Sequence, residues 1–214
     1  MKYKNIIFDF DGVLAESVHI KTQAFYKMYE PFGVTVAEKV VQHHKTNGGM
    51  SRFEKFPFYH KTFLNLDLNN NDIESLTTMF SNIVVQDVID SAEVPGALWF
   101  LEKYFNKKKW IVSATPTDEI RKIIKKRNMD NHFIKVYGSP DRKTSIVEKI
   151  INENCLIRDE TIFLGDALSD YNAATENDID FALRKTPENK KLFSKNPNLI
   201  RFIDFYELDK QINN

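Results

Sequence analysis

A doubly wound α/β domain built on a parallel sheet, with a helical insertion after its first strand, is the fold this sequence predicts. Three observations predict it. Short runs of β-branched and aromatic residues recur, most of them near-continuously apolar rather than alternating, as in a parallel strand covered on both faces. Helical stretches lie between them, which is the rhythm of βαβ units. The first run is separated from the second by about a hundred residues, far more than a simple crossover needs.

The first strand reads Ile6–Phe10 and carries two carboxylates, Asp9 and Asp11, before stopping at Gly12. Strand side chains alternate with period two, so both acids would share a face if the strand continued. Gly12 marks a turn where the second carboxylate sits. Two acids at a buried strand end repel each other and are costly to desolvate, so chemistry or a cation is the ready explanation for both.

The next stretch is helical in pattern over His19–Phe32, Val36–Gln42, Ser51–Leu64 and Asp72–Val88, with the polar turn Asp67–Asp72 before the last. Residues 17–90 are therefore expected to form a second small domain, and residues 1–16 and 91–214 the core domain. Phe53, Phe56, Phe58 and Phe63 are expected as the insert's core rather than a stacking platform. Adjacent His43 and His44 point different ways on a helix and make a poor metal pair, and His19 and His60 have no evident partner.

The core then resumes with the helix Pro95–Phe105, its proline suited to a first turn, and the strand Lys109–Ala114. The helix Asp118–Asn128 puts Ile120, Ile123 and Ile124 on one face. After the strand Ile134–Tyr137 comes the helix Arg142–Asn152, with Ile146, Val147, Ile150 and Ile151, and then the strands Thr161–Leu164, Asp180–Leu183 and Leu199–Ile203.

Composition narrows the function. The chain of 214 residues balances 30 Lys+Arg against 30 Asp+Glu, which argues against a nucleic-acid binder. One cysteine, Cys155, excludes an internal disulfide and fits a reducing, cytoplasmic compartment; it is expected as a small buried or half-buried residue. The apolar run after Lys2 and Lys4 is broken at Asp9, too early for a signal peptide. No stretch approaches the roughly 18–20 apolar residues that span a bilayer, so no membrane partner is expected.

In an open parallel sheet the strand ends converge on one crevice. Asp9 and Asp11 follow the first strand, Ser113 ends the second, Gly138-Ser139-Pro140-Asp141-Arg142-Lys143 follows the third and Gly165-Asp166-Ala167-Leu168-Ser169-Asp170 the fourth. Carboxylates, a hydroxyl and an ammonium suit an oxyanion held beside a divalent cation. Phosphoryl transfer asks for such parts, because negative charge must be neutralised as the partners approach. Mg²⁺ prefers hard oxygen ligands, which Asp9, Asp166 and a backbone carbonyl near Asp11 can supply. Lys143 offers positive charge, with Arg142 as its neighbouring rival, and Ser113 offers a hydrogen bond. A carboxylate can also act as a nucleophile, with a second one as acid and base.

Asp-Phe-Asp-Gly-Val-Leu at 9–14, Ser113, Lys143 and Gly-Asp-Ala-Leu-Ser-Asp at 165–170 together resemble, in order, the four motifs of the haloacid dehalogenase (HAD) superfamily. Val94-Pro95-Gly96-Ala97 resembles the return from a helical cap, and the likeness covers roughly residues 1–16 and 91–205. The resemblance implies a Rossmann-like core with an inserted α-helical cap of the kind in phosphoglycolate phosphatase-like and β-phosphoglucomutase-like members. It implies that Asp9 is the nucleophile and a Mg²⁺ ligand, and that Asp11 is the general acid/base with its carbonyl on the metal. Ser113, with Ala114 beside it, would bind the phosphoryl group, and Lys143 would neutralise charge. Asp166 would ligate the metal, and Asp170 would hold its waters or ligate directly.

Gly48-Gly49-Met50-Ser51-Arg52 resembles the loop that reaches the active site in related caps. Arg52 is the first choice for contacting a second anionic group or hydroxyls, ahead of Lys21 and Lys45. Glu16 stands where many phosphatase members have aspartate, and a linker role is expected of it. Lys143 follows Ser139-Pro140 more tightly than in the phosphoglycolate group. The resulting expectation is a Mg²⁺-dependent phosphatase of a small phosphorylated metabolite, monomeric or homodimeric, with a phosphomutase of the β-phosphoglucomutase type as the alternative. A response-regulator receiver is shorter, carries its aspartate on a later strand and has no helical insert.

Overall fold

The computed structural model describes residues 1–189, 193 and 199–213; positions 190–192, 194–198 and 214 of the expected core domain lie outside the described residues. Among the described residues, six parallel strands form one sheet in the order β3-β2-β1-β4-β5-β6. They are β1 (Asn5–Phe8), β2 (Lys108–Pro116), β3 (Lys135–Ser139), β4 (Thr161–Gly165), β5 (Asp180–Arg184) and β6 (Ile200–Phe202). Strand β1 pairs with β2 through Asn5 and Lys108, and with β4 through Asn5 and Thr161.

The unbroken apolar runs have a direct cause. Ile6, Phe8, Ile111, Ile162 and Leu164 pack into a core on one face of the sheet, while Ile7, Trp110, Val112 and Phe163 pack into a second core on the other. Period-two alternation therefore sends every side chain of the central strands into a dry layer. Helices α5 (Ala97–Lys103), α6 (Thr117–Lys126) and α9 (Phe205–Asn213) cover the first face; α7 (Lys143–Glu153) and α8 (Leu168–Glu176) cover the second. Helices α8 and α9 are additions to the sequence expectations.

Between β1 and β2 lie α1 (Val18–Tyr29), α2 (Val34–Thr46), α3 (Arg52–Tyr59) and α4 (Asn70–Asp90). The chain leaves and re-enters the sheet through two neighbouring segments. Glu16 N–H donates to Ala92 O at 2.9 Å and Val94 N–H to Leu14 O at 3.1 Å. The aromatic core of these helices differs from the expected set. Phe56 is buried, but Phe53 and Phe63 are half-buried and Phe58 is exposed, because the buried face of α3 runs through Arg52, Lys55, Phe56 and Tyr59. Phe56 packs instead with Phe25, Tyr59 and Phe80, and the Phe25 and Phe80 rings lie 4.4 Å apart. A π turn over His60–Leu64 follows α3, so Ser51–Leu64 is not one helix. His60 does find partners, at Tyr29 Oη and Phe56 O.

Cys155 is exposed rather than buried or half-buried. It sits just past α7 in the left-handed region, and Leu156 behind it takes the buried position. Among the described residues no helix is long and apolar enough to cross a membrane.

Candidate active site

Strand β1 stops at Phe8, and the chain then folds tightly: the amides of Val13, Leu14 and Ala15 all donate to Phe10 O. Asp9 and Asp11 thus sit on a turn beyond the strand rather than on one strand face. Gly12 has φ +75°, and a Cβ there would collide with Asp166 Oδ2. Only glycine lets this turn press against the loop after β4. Arg184, at the end of β5, fastens the same turn. It grips Glu16 at 2.5 and 3.2 Å and donates to Gly12 O at 3.3 Å. Glu16 is therefore more than a linker.

Lys143 opens α7 and is buried between two acids, with Nζ 2.7 Å from Asp9 Oδ2 and 2.6 Å from Asp170 Oδ1. Asp170, the third residue of α8, uses Oδ2 to accept the N–H groups of Asp166 at 3.2 Å and Ala167 at 3.0 Å, as an acid in a helix first turn should. Asp9, Asp166 and Asp170 each present a carboxylate oxygen, all within 4.8 Å of one another. Asp11 faces a different set. It accepts from Ser17 Oγ at 2.6 Å, from Thr115 Oγ1 at 3.0 Å and from Lys21 Nζ, and Lys21 also reaches Thr115 Oγ1 at 2.6 Å.

The electrostatics separate these acids. Burial, reinforced by Asp170 and Asp11 and only partly offset by Lys143, pushes Asp9 up to about 7. Burial next to Asp9 and Asp170 pushes Asp166 well above the carboxylate range. Burial would also raise Asp11, but Lys21, Ser17 and Thr115 outweigh it and hold the group below its ordinary value. Burial works against the Lys143 ammonium, yet Asp170 and Asp9 raise its pKa. Four carboxylates against two lysines leave a local negative excess of hard oxygens, a donor set that fits a divalent cation such as Mg²⁺.

Asp9, Asp11, Lys21, Thr115, Lys143 and Asp166 border one cavity of about 370 Å³, and Asp170 is buried behind them. Ser113 is buried within β2, three residues before its end, and accepts the Thr115 N–H at 3.1 Å, which leaves its own O–H for a ligand oxygen. Ala114 lines the wall beside it. Ser139, at the end of β3, also lines the cavity, and its buried Oγ has no hydrogen-bond partner. The loop 47–51 closes the other side, where Gly49 lies so near Ser169 that a Cβ would overlap it.

Arg52 borders the cavity too, but its guanidinium is engaged. It forms a fork with Glu119 of α6 at 2.7 and 3.0 Å and donates to Ser81 of α4 at 2.9 Å. Lys21, ranked behind Arg52 from sequence, reaches Asp11, as does Ser17. Lys45 is exposed at the cavity edge. The sequence reading missed Ser17, Thr115 and Ser139. Thr115 lies where β2 departs from regular pairing with β3, between Val112 and Pro116, so simple alternation did not mark it.

A family model described as haloacid dehalogenase-like hydrolase matches residues 6–183. No curated protein sequence matches the chain significantly. Among solved structures, a haloacid dehalogenase-like family hydrolase from Streptococcus pneumoniae superposes with TM-score 0.72 at 18% identity, covering 99% of this chain and 98% of that one. A predicted phosphoglycolate phosphatase from Haemophilus somnus gives TM-score 0.74 at 17% identity, covering 99% of each chain. A predicted phosphatase from Clostridium acetobutylicum gives 0.72 at 17%, covering 99% of this chain and 98% of that one. At these identities the likeness speaks for the fold.

Proposed function

This chain belongs to the haloacid dehalogenase-like hydrolase family, and from that premise we propose that it is a Mg²⁺-dependent phosphatase of a small phosphomonoester, acting through an aspartyl-phosphate at Asp9. The observation that carries the reading is the meeting of Asp9, Lys143 and Asp166 beside Ser113 in one cavity, with Asp170 buried against Lys143. Asp9 and Asp166, with the Asp11 carbonyl, would hold the cation, and Asp170 would ligate it or hold its waters. Bound there, Mg²⁺ supplies the positive charge that lets a phosphate approach a carboxylate.

Asp9 attacks phosphorus as the bond to the leaving oxygen breaks, and Asp11 gives that oxygen its proton. Water then attacks the phosphoryl group on Asp9, and Asp11 takes the proton back. The three donors on Asp11 favour its ionised form, which suits the second half of the cycle. In the first half Asp11 must carry a proton, so the Lys21 contact has to loosen. Ser113 donates to the phosphoryl oxygens, and Lys143 neutralises charge beside Asp9. Residues 17–90 act as a cap over residues 1–16 and 91–214, with the paired connections at Glu16–Ala92 and Leu14–Val94 as the natural hinge. The single cysteine and the charge balance support a cytoplasmic setting with no nucleic-acid partner.

The test is release of inorganic phosphate from a panel of phosphorylated metabolites. EDTA should stop it and Mg²⁺ restore it. Asp9→Asn should abolish turnover in a folded protein, and full activity in that variant would sink the nucleophile assignment.

A further inference from the structure

The wall that the helical insert adds to the cavity holds a buried lysine the chemistry above leaves unused. Lys55, on α3, is 1% exposed and lines the cavity with His44 of α2. Its Nζ lies 2.8 Å from His44 Nδ1 and 5.5 Å from the centre of the Phe25 ring. In its ammonium form Lys55 can only donate, and His44 Nδ1 then accepts with the ring proton on Nε2. Among the described residues no carboxylate comes within 4.0 Å of this Nζ.

The insert's other inward cations are already matched, Lys21 by Asp11 and Arg52 by Glu119. Glu54, the residue just before Lys55, borders the same cavity but is exposed. A buried ammonium without a counter-ion is costly, and a methionine would fill the same space at far less cost. Burial, then Lys21 and Arg52, push the Lys55 pKa well down against the pull of Glu54. Burial and Lys55 likewise push His44 well down, which favours its neutral form. What the pair lacks is an acceptor bearing negative charge, and both side chains line the cavity, where one could bind.

We propose that Lys55 and His44 form a second anion-recognising pole, so that the substrate is a phosphomonoester whose leaving alcohol carries an oxyanion of its own. This rests on the phosphatase reading for the first pole and deepens it to a substrate class. The oxyanion is a carboxylate or a second phosphate, and charge-assisted donation from the ammonium serves either. A cavity of about 370 Å³ sits near the small end for metabolite sites, so the spacer between the poles is short.

The experiment is calorimetric binding to Asp9→Asn with Mg²⁺, which needs no turnover. Its three ligands share one carbon chain: propyl phosphate, 3-(phosphonooxy)propanoate and propane-1,3-diol bisphosphate. The two doubly anionic ligands should bind roughly 10- to 100-fold tighter than propyl phosphate, and the tighter of them identifies the group. Adding Lys55→Met should shrink that advantage to within about threefold, with propyl phosphate binding as the sign that the site is folded. Equal affinities in the Lys55 protein, binding of none of the three, or an advantage that survives Lys55→Met would each overturn the proposal. If Lys55→Met does not fold, the ranking in the Lys55 protein decides alone. Phosphate release by the wild-type chain is scored separately. An intact ranking without release would overturn the phosphatase reading only, and release without the ranking would overturn this proposal only.

Discussion

Lys143 stands between Asp9 and Asp170, and one ammonium cannot balance two buried carboxylates with Asp166 beside them. Without a cation the cluster therefore works against the fold, while it creates the affinity for one. Asp166→Asn removes an ionisable carboxyl, whose charged form burial disfavours, but keeps the shape. In EDTA this variant should melt higher than wild type by about 2–4 °C, the shift that about 1 kcal/mol gives a chain of this size. The same variant should lose the rise in melting temperature that Mg²⁺ gives the wild-type chain. A wild-type melt indifferent to Mg²⁺ would count against the metal assignment. Lys143→Met makes the opposite change, stripping Asp9 and Asp170 of their shared partner. It should cost about 3–5 kcal/mol in denaturant unfolding without metal, the usual penalty for orphaning a buried ionic group.

At the scale of elements, the turn after β1 shows what sequence can and cannot reveal. Gly12 is readable as a breaker, and Asp9 and Asp11 as unusual acids at a strand end. That Gly12 exists to admit Asp166 is a fact of packing between segments far apart in the chain. Gly12→Ala should force both a left-handed alanine and a displaced Asp166, so destabilisation of about 1–3 kcal/mol should accompany weaker Mg²⁺ binding in calorimetry. The strands were legible because burial on both faces leaves continuous apolar runs. Helix α8 was not, because its buried residues are Asp170, Ala173 and Ala174, with no large apolar stripe. Helix α9 carried a readable signal in Phe205, Leu208 and Ile212, spaced i, i+3 and i+7. In the site, the strand-end residues followed from topology. The donors on Asp11 did not, because they arrive from α1 and from the far end of β2.

For the whole molecule the question is how the helical insert is held over the sheet. Lys21 crosses from α1 to Asp11 and Thr115, so the insert supplies a group to the proposed acid and base. Arg52 crosses to Glu119, with Ser81 hydrogen-bonded to both, and the two charged side chains are only 4% and 7% exposed. The guanidinium also lies 4.4 Å from the centre of the Phe80 ring. A buried fork of this kind fixes position more than it adds stability, because desolvation of both charges offsets their attraction. A double-mutant cycle exposes the difference. Arg52→Met and Glu119→Met should each cost about 3 kcal/mol by leaving one buried charge alone, while the double variant should cost about 1 kcal/mol. Activity follows a different logic. A latch that holds the insert closed should affect kcat and KM together, and the double variant should keep much of that loss although its stability recovers. If Arg52 instead gripped the substrate, Arg52→Met would raise KM while Glu119→Met left it near wild type. Additive stability costs in the cycle would show that the two side chains do not depend on each other, and the latch would fall.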